Sequence, residues 1–499
     1  MRRLAPLPVL LVIAACQGRV LSNPSAASGS SSGQGATTSS SAGGGASSVG
    51  ASSTGGSGGS GGASSSSSSG GGGAPALCTG SVVWTRALGI DLVQTSGNED
   101  PFSGFAVTPA GDILLTGRSC WDPNGCAWAP NTPPGNDTFF TRLDATGAIV
   151  GGSPVPGIDQ PGASVIAAPD GGWLVSGMQG SDFGSNTAHL IRYDAVGQIV
   201  FHKTFVSFSL TFGDVAFLPS GHMIVTGYFR GQTSFDSIVK ESWLEIASLF
   251  LGELDADGDV VFVKTFTQTD CASGHGLAIG ADGDIFLSGE MGGCHVSPSL
   301  NLGGDTLMGG ASFLARFTAT GEHVWSKQIG ASIHPLRFTP EGTLFVPGGS
   351  GTPTVDFGAG PVAIDAGSFL ARLDLDGAPL AVQPTGLLDF AAVAPVPGGA
   401  SRFVSPFYSA ATIDVLGAPL ASNAGSTDVL VGTIDAGGKM AGACLYGGPG
   451  EEPIWATGKA PDGAFLVAGR FTGTLDLGSG PVTSATAGDR DIFIAKILP

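Results

Sequence analysis

The stretch APDGGWLVSG, residues 168–177, recurs in altered form as TPAGDILLTG at 108–117, LPSGHMIVTG at 218–227 and GADGDIFLSG at 280–289. Each version joins one apolar strand to another through a turn of Pro, Asp and Gly. Those residues accept the backbone angles and local hydrogen bonds of a tight hairpin. Extending the comparison yields seven copies: Ala106–Gly117, Val165–Gly177, Val215–Gly227, Leu277–Gly289, Leu336–Gly348, Ala392–Pro406 and Ala456–Gly469. Their closing residues lie about 50 to 63 positions apart, a spacing that marks a repeat architecture. The sixth copy is degenerate, with Pro406 where the others close on Gly.

A second hairpin follows each of the first six copies: TFFTRLDATGAIV, AHLIRYDAVGQIV, LFLGELDADGDVV, SFLARFTATGEHV, SFLARLDLDGAPL and DVLVGTIDAGGKM. Its last strand often carries an aromatic residue and a lysine, as in VVFVKTF and HVWSKQI. Two hairpins per repeat make four strands. The seventh copy ends after its third strand, RDIFIAKIL, while SVVWTRAL at 81–88 has the character of the missing fourth. The pattern predicts an all-β fold: a seven-bladed β-propeller of four-stranded blades over 77–499, closed by the N-terminal strand joining the last blade. Closure hides strand edges that would otherwise template aggregation. Helical periodicity is confined to VKESWLEIASLF, at most a helical turn.

The segments SFLARLDLDG, GTLFVPGGSGTPTVDFGAG and GAFLVAGRFTGTLDLGSG resemble the SBBP-type β-propeller repeats of bacterial surface proteins. The resemblance spans about 82–499 and implies propeller architecture and a surface location. It brings no defined active site. The first two repeats lack the TVDFG-like segment, and the first holds SCWDPNGCAWAPNTPPGND instead.

The N-terminus reads as an address. Two arginines precede a short apolar run, Leu4 to Ile13, and Ile13-Ala14-Ala15-Cys16 resembles a bacterial lipobox. The run is too short to span a bilayer as a helix. Residues 1–15 are therefore expected to be a lipoprotein signal peptide, and Cys16 the lipid attachment site. Gln17 follows, with no Asp at that position, which by resemblance to Gram-negative lipoproteins favours the outer membrane or cell surface over retention at the inner membrane. Residues 16–76 carry the lipidated Cys and a Ser/Gly-rich tether without the apolar side chains that would offset ordering entropy.

Six cysteines remain, an even number expected to pair in an oxidising compartment. Cys120 and Cys126 flank a turn-forming loop, Cys271 and Cys294 bracket one repeat, and Cys78 with Cys444 pair by elimination. A formal net charge of −19 with only 21 Lys and Arg argues against a nucleic-acid partner.

No catalytic motif stands out. Asp255, Asp257 and Asp259 alternate around Gly258 and are candidate Ca²⁺ ligands, but their loop lacks a distal bidentate acid and reads first as a hairpin turn. Trp121 and Trp128 sit on or beside the Cys120–Cys126 loop, where exposed rings would stack on a ligand and buried ones would cover a blade edge. The seven histidines are scattered. GHGLAIG at 274–280 opens a strand rather than a helix, so a dinucleotide loop is rejected. The reading is a monomeric, membrane-anchored lipoprotein that displays a propeller for binding or scaffolding a protein or polysaccharide, without catalytic activity or a required cofactor. The alternative is an exported polysaccharide-active hydrolase or lyase with its site at the propeller mouth.

Overall fold

The computed structural model describes residues 81–88, 102–118, 138–155, 157–158, 164–180, 186–294, 298–333, 336–364, 367–386, 388, 390–407, 412–415, 418–421, 427–447, 452–484 and 490–498. Cys16, the tether, Cys78, Cys120, Cys126, Trp121 and Trp128 lie outside these residues.

The described chain is all-β, a propeller-like array of small antiparallel sheets, with one short 3₁₀ turn at Pro397–Gly399 and no α-helix among the described residues. Four sheets have four strands each. One of them is Phe102–Val107, Ile113–Arg118, Thr138–Leu143 and Ile149–Pro154 in simple up-and-down order. A fifth has the same plan, but its first position is split between Ser332–Ile333 and Arg337–Phe338. The expected seven separate sheets are corrected at the second and third repeats, which share one eight-stranded sheet. The cause is local. The strand Ile199–Phe217 runs on without a turn, pairing through Ile199–Ser207 with the second repeat and through Ser207–Phe217 with the third.

Both hairpin turns owe their form to glycine. Gly283 and Gly463 in first turns, and Gly258 and Gly377 in second turns, all have positive φ, which other residues resist. The closing glycines have a different reason. A Cβ on Gly289 would lie 2.5 Å from the Phe313 ring, and one on Gly348 2.6 Å from the Phe369 ring.

Apolar residues collect between consecutive sheets. Ala278, Phe286 and Leu314 of the fourth repeat pack with Leu344, Val346 and Phe369 of the fifth. Ile113, Leu115 and Leu143 of the first repeat pack with Leu466, Ile492 and Ile494 of the last. Small hairpins such as Thr354–Asp356 with Pro361–Ala363 come from the TVDFG-like segments. They insert Val355 and Phe357, both 1% exposed, into the same cores.

The aromatic–lysine pair of the fourth strands grips the next repeat. Trp325 lies against Gly377, its Nε1–H donates to Leu375 O (2.9 Å), and Lys327 Nζ donates to Gly377 O (2.6 Å). Phe262 covers Gly321 while Lys264 bonds Glu322 at 2.5 Å, and Phe201 covers Gly258 while Lys203 bonds Asp259 at 2.7 Å. The N-terminal strand repeats the arrangement. Ser81–Ala87 pairs antiparallel with Arg490–Leu498, and its Trp84 and Arg86 lie over Gly147 of the first repeat.

Trp84 is 8% exposed. Trp84→Ala is therefore expected to lower unfolding free energy by about 3 kcal/mol in denaturant titrations. A loss under about 1 kcal/mol would mean that the terminal strand contributes little to closure.

Candidate functional site

The first strands of neighbouring repeats approach one another. Thr457 Oγ1 donates to Ala391 O (3.0 Å), Gly458 lies against the Phe105 ring, and Gly104 lies against the backbone of Val165. Most of their residues are small or apolar, as in SVIA, AVAP and ASGHGLAI.

Four of these strands carry a β-bulge opposite the closing glycine. The extra residues are Ser103, Gly213, His275 and Trp455. A bulge leaves its residue out of the ladder and re-aims it. His275 is exposed, and its Nε2 lies 2.7 Å from Ser273 Oγ. Desolvation by the flanking strands lowers the imidazole below its usual pKa, against the upward pull of Glu290. Glu290 is the ladder partner of Ser273. No hydrogen bond joins Glu290 to His275 among the described residues, so the Ser273–His275 pair lacks the orienting acid that activates a nucleophilic serine.

Asp214 stands on the neighbouring first strand. Its Oδ1 accepts from Val215 N–H (2.8 Å) and its Oδ2 from Leu277 N–H (2.7 Å), which ties the third repeat to the fourth. Desolvation pushes its carboxyl up to about 6, opposed by those two amides and by Arg337. The exposed ionisable side chains on the described first strands are His275, Arg337 and Lys459, and Asp214 is half-buried.

Of the residues singled out from sequence, Cys271 and Cys294 form a disulfide with Cα atoms 5.6 Å apart. Buried Asp270 caps the bridge, its Oδ1 accepting from Cys271 N–H (2.7 Å) and Cys294 N–H (2.9 Å). Those three residues are the metal-type donor cluster found among the described residues, and the disulfide occupies both sulfurs. Cys444 is buried and disulfide-bonded, while Cys78, its expected partner, lies outside the described residues.

The three turn aspartates do not form a donor cluster. Asp255 Oδ1 accepts from Asp257 N–H (3.0 Å) and Asp259 N–H (2.8 Å), closing the turn on itself. Asp259 turns to Lys203 of the preceding repeat. The stretch VKESWLEIASLF holds no helical turn; it is strand, loop and strand around Trp243. Sequence reading passed over Asp214, His275 and Trp243. The glycines flanking His275 mark its bulge and were the available signal.

No family model and no curated protein matches the sequence. Among solved structures the chain is similar to an ulvan lyase of polysaccharide lyase family PL25, at 10% identity and a TM-score of 0.44, covering 77% of this chain and 93% of that one. It is also similar to a protein of unknown function from Bacteroides caccae (12%, 0.33, 66% and 93%) and to a glucose dehydrogenase (14%, 0.33, 83% and 98%). These likenesses do not extend to what the chain binds or does.

The raised Asp214 carboxyl has a signed consequence. Between about pH 4 and 6 the folded chain holds a proton that the unfolded chain has released, so this group's contribution to stability falls as pH rises through that window. Asp214→Asn is expected to remove that slope from denaturation midpoints measured across pH 4–7. An unchanged slope would assign the proton to another group.

Proposed function

We propose that the chain is an exported lipoprotein, anchored through Cys16, whose seven-bladed propeller binds a protein or polysaccharide at the mouth and does not turn it over. The blade count takes the eight-stranded sheet as two blades sharing one continuous strand. Seven buried clusters among the described residues, each shared by consecutive repeats and one by the last and first, support that count.

The binding reading rests on the state of Asp214. It is the acid on the described first strands, and each of its oxygens accepts from a backbone amide, one in each of two adjacent repeats, so the group is held as a tie between repeats. A general acid or base must instead be placed to exchange a proton with substrate. The other side chains of the described first strands are small or apolar apart from His275, Arg337 and Lys459, a surface that offers contact area to a ligand. The hydrolase or lyase reading draws on the Ser273–His275 contact alone.

Incubating the full chain with neutral and acidic polysaccharides should yield retention without new reducing ends or unsaturated products. Turnover that disappears in His275→Ala would replace binding with catalysis. Detergent-phase partitioning checks the anchor: the wild-type chain should enter the detergent phase and Cys16→Ser the aqueous phase, and equal partitioning would remove the lipid.

A further inference from the structure

His189 and His202 stand on the third and fourth strands of the second repeat, and the ladder sets them side by side. His189 is opposite Thr204 and His202 is opposite Ile191, so the two are diagonal neighbours on one face of the sheet. Their ring centroids are 5.1 Å apart and the planes tilt by 42°. Nδ1 of His189 lies 2.8 Å from Nε2 of His202. The two rings differ in setting. His189 is 4% exposed and lies on an inner strand, paired to Trp173–Gly180 on one side and to Ile199–Phe217 on the other. Gly157 lies against its ring, where a Cβ would come within 2.6 Å of Cε1. His202 is exposed. One imidazole is thus fixed by the fold, and the other meets it from the solvent side.

Imidazole nitrogen is a ligand suited to Zn²⁺, Ni²⁺ and Cu²⁺. In the direct contact one facing nitrogen carries a proton and the other accepts it. Moving that proton to the far nitrogen of its own ring leaves a lone pair on both facing nitrogens, with no net change of protons. Burial holds the His202 imidazole below its ordinary pKa, so this ring is neutral at neutral pH. Two metal–nitrogen bonds of about 2.0 Å put their nitrogens about 2.8 Å apart at a right angle and about 3.3 Å apart at the tetrahedral angle. The separation in the structure is that of the right angle, the geometry of tetragonal Cu²⁺. Paired strands also hold the two side chains together before an ion arrives, which spares that ordering cost. We infer that His189 Nδ1 and His202 Nε2 are the two protein ligands of a Cu²⁺ site, its remaining positions open to water. The site stands on third and fourth strands, not on the first strands of the candidate mouth, and does not rest on the binding reading above.

The test is titration of the full chain with CuCl₂ in a weakly coordinating buffer, followed by calorimetry and low-temperature electron paramagnetic resonance. The wild-type chain should take up a single Cu²⁺ with an axial spectrum split by two imidazole nitrogens, and the ion should raise its melting temperature. His202→Ala should weaken uptake by at least roughly a hundredfold, the upper end of what loss of an outer-shell partner costs, and should abolish the melting shift. Without metal it should melt like the wild type, because His202 is exposed. His323→Ala, in the fourth repeat, should keep the site. Uptake that is unchanged in His202→Ala, or lost in His323→Ala, would place the ion on other residues and overturn the assignment. Absence of uptake by the wild-type chain would overturn it too, leaving the two rings joined by a hydrogen bond alone.

Discussion

The structure depends on one repeated contact: an aromatic ring on the fourth strand of one repeat lying on the turn glycine of the next. The contact needs both partners. The ring supplies area to bury, and the glycine supplies both the positive φ of the turn and the absence of a Cβ where the ring must sit. The cation two residues after the ring then reaches the same turn, as Lys203, Lys264 and Lys327 do. Where the ring is missing the contact changes character. In the fifth repeat Gln383 takes the place, bonding Ala436 O and lying against Gly438.

A second recurring contact stiffens several of the repeats from within. A basic residue on the third strand pairs with an acid in the first turn: Arg192 with Asp170, Arg316 with Asp284, Lys496 with Asp462. The third repeat exchanges the sides, placing His222 in the turn and Glu253 on the strand, with Nδ1 and Oε1 2.7 Å apart. The turn and the third strand are thus joined by a side-chain contact there too, with the acid on the strand. With turns and outer strands carrying these duties, the first strands are left small and apolar, and the few polar groups there sit at bulges or between repeats.

Much of this was legible in the chain. Turn glycines, apolar strands, the two hairpins per repeat and the likeness of SVVWTRAL to HVWSKQIG gave the sheets and the pairing of first and last strands, because hairpin chemistry is local and repeats average out noise. The Cys271–Cys294 bridge was legible from its position around one repeat. The continuity of Ile199–Phe217 was not, since no residue marks the absence of a turn. Asp214 was equally hidden, because its value depends on an amide sixty-odd residues away, at Leu277. Asp259 resembled a metal ligand by its spacing, and its partner Lys203 lies in another repeat. Trp243 was read as part of a weakly helical stretch, and exposure cannot be seen from periodicity.

The pairing of Ser81–Ala87 with Arg490–Leu498 also sets an order of events during biosynthesis. Every other main sheet is made of neighbours in the chain and can form as its residues emerge. The strand written first has no lasting partner until the strand written last exists. Through that interval its apolar face and unmatched amides must be kept from other strands, a period of exposure that lengthens with the time taken to deliver the C-terminus. A chain truncated near its end would thus leave two unsatisfied edges at once, one at each extremity.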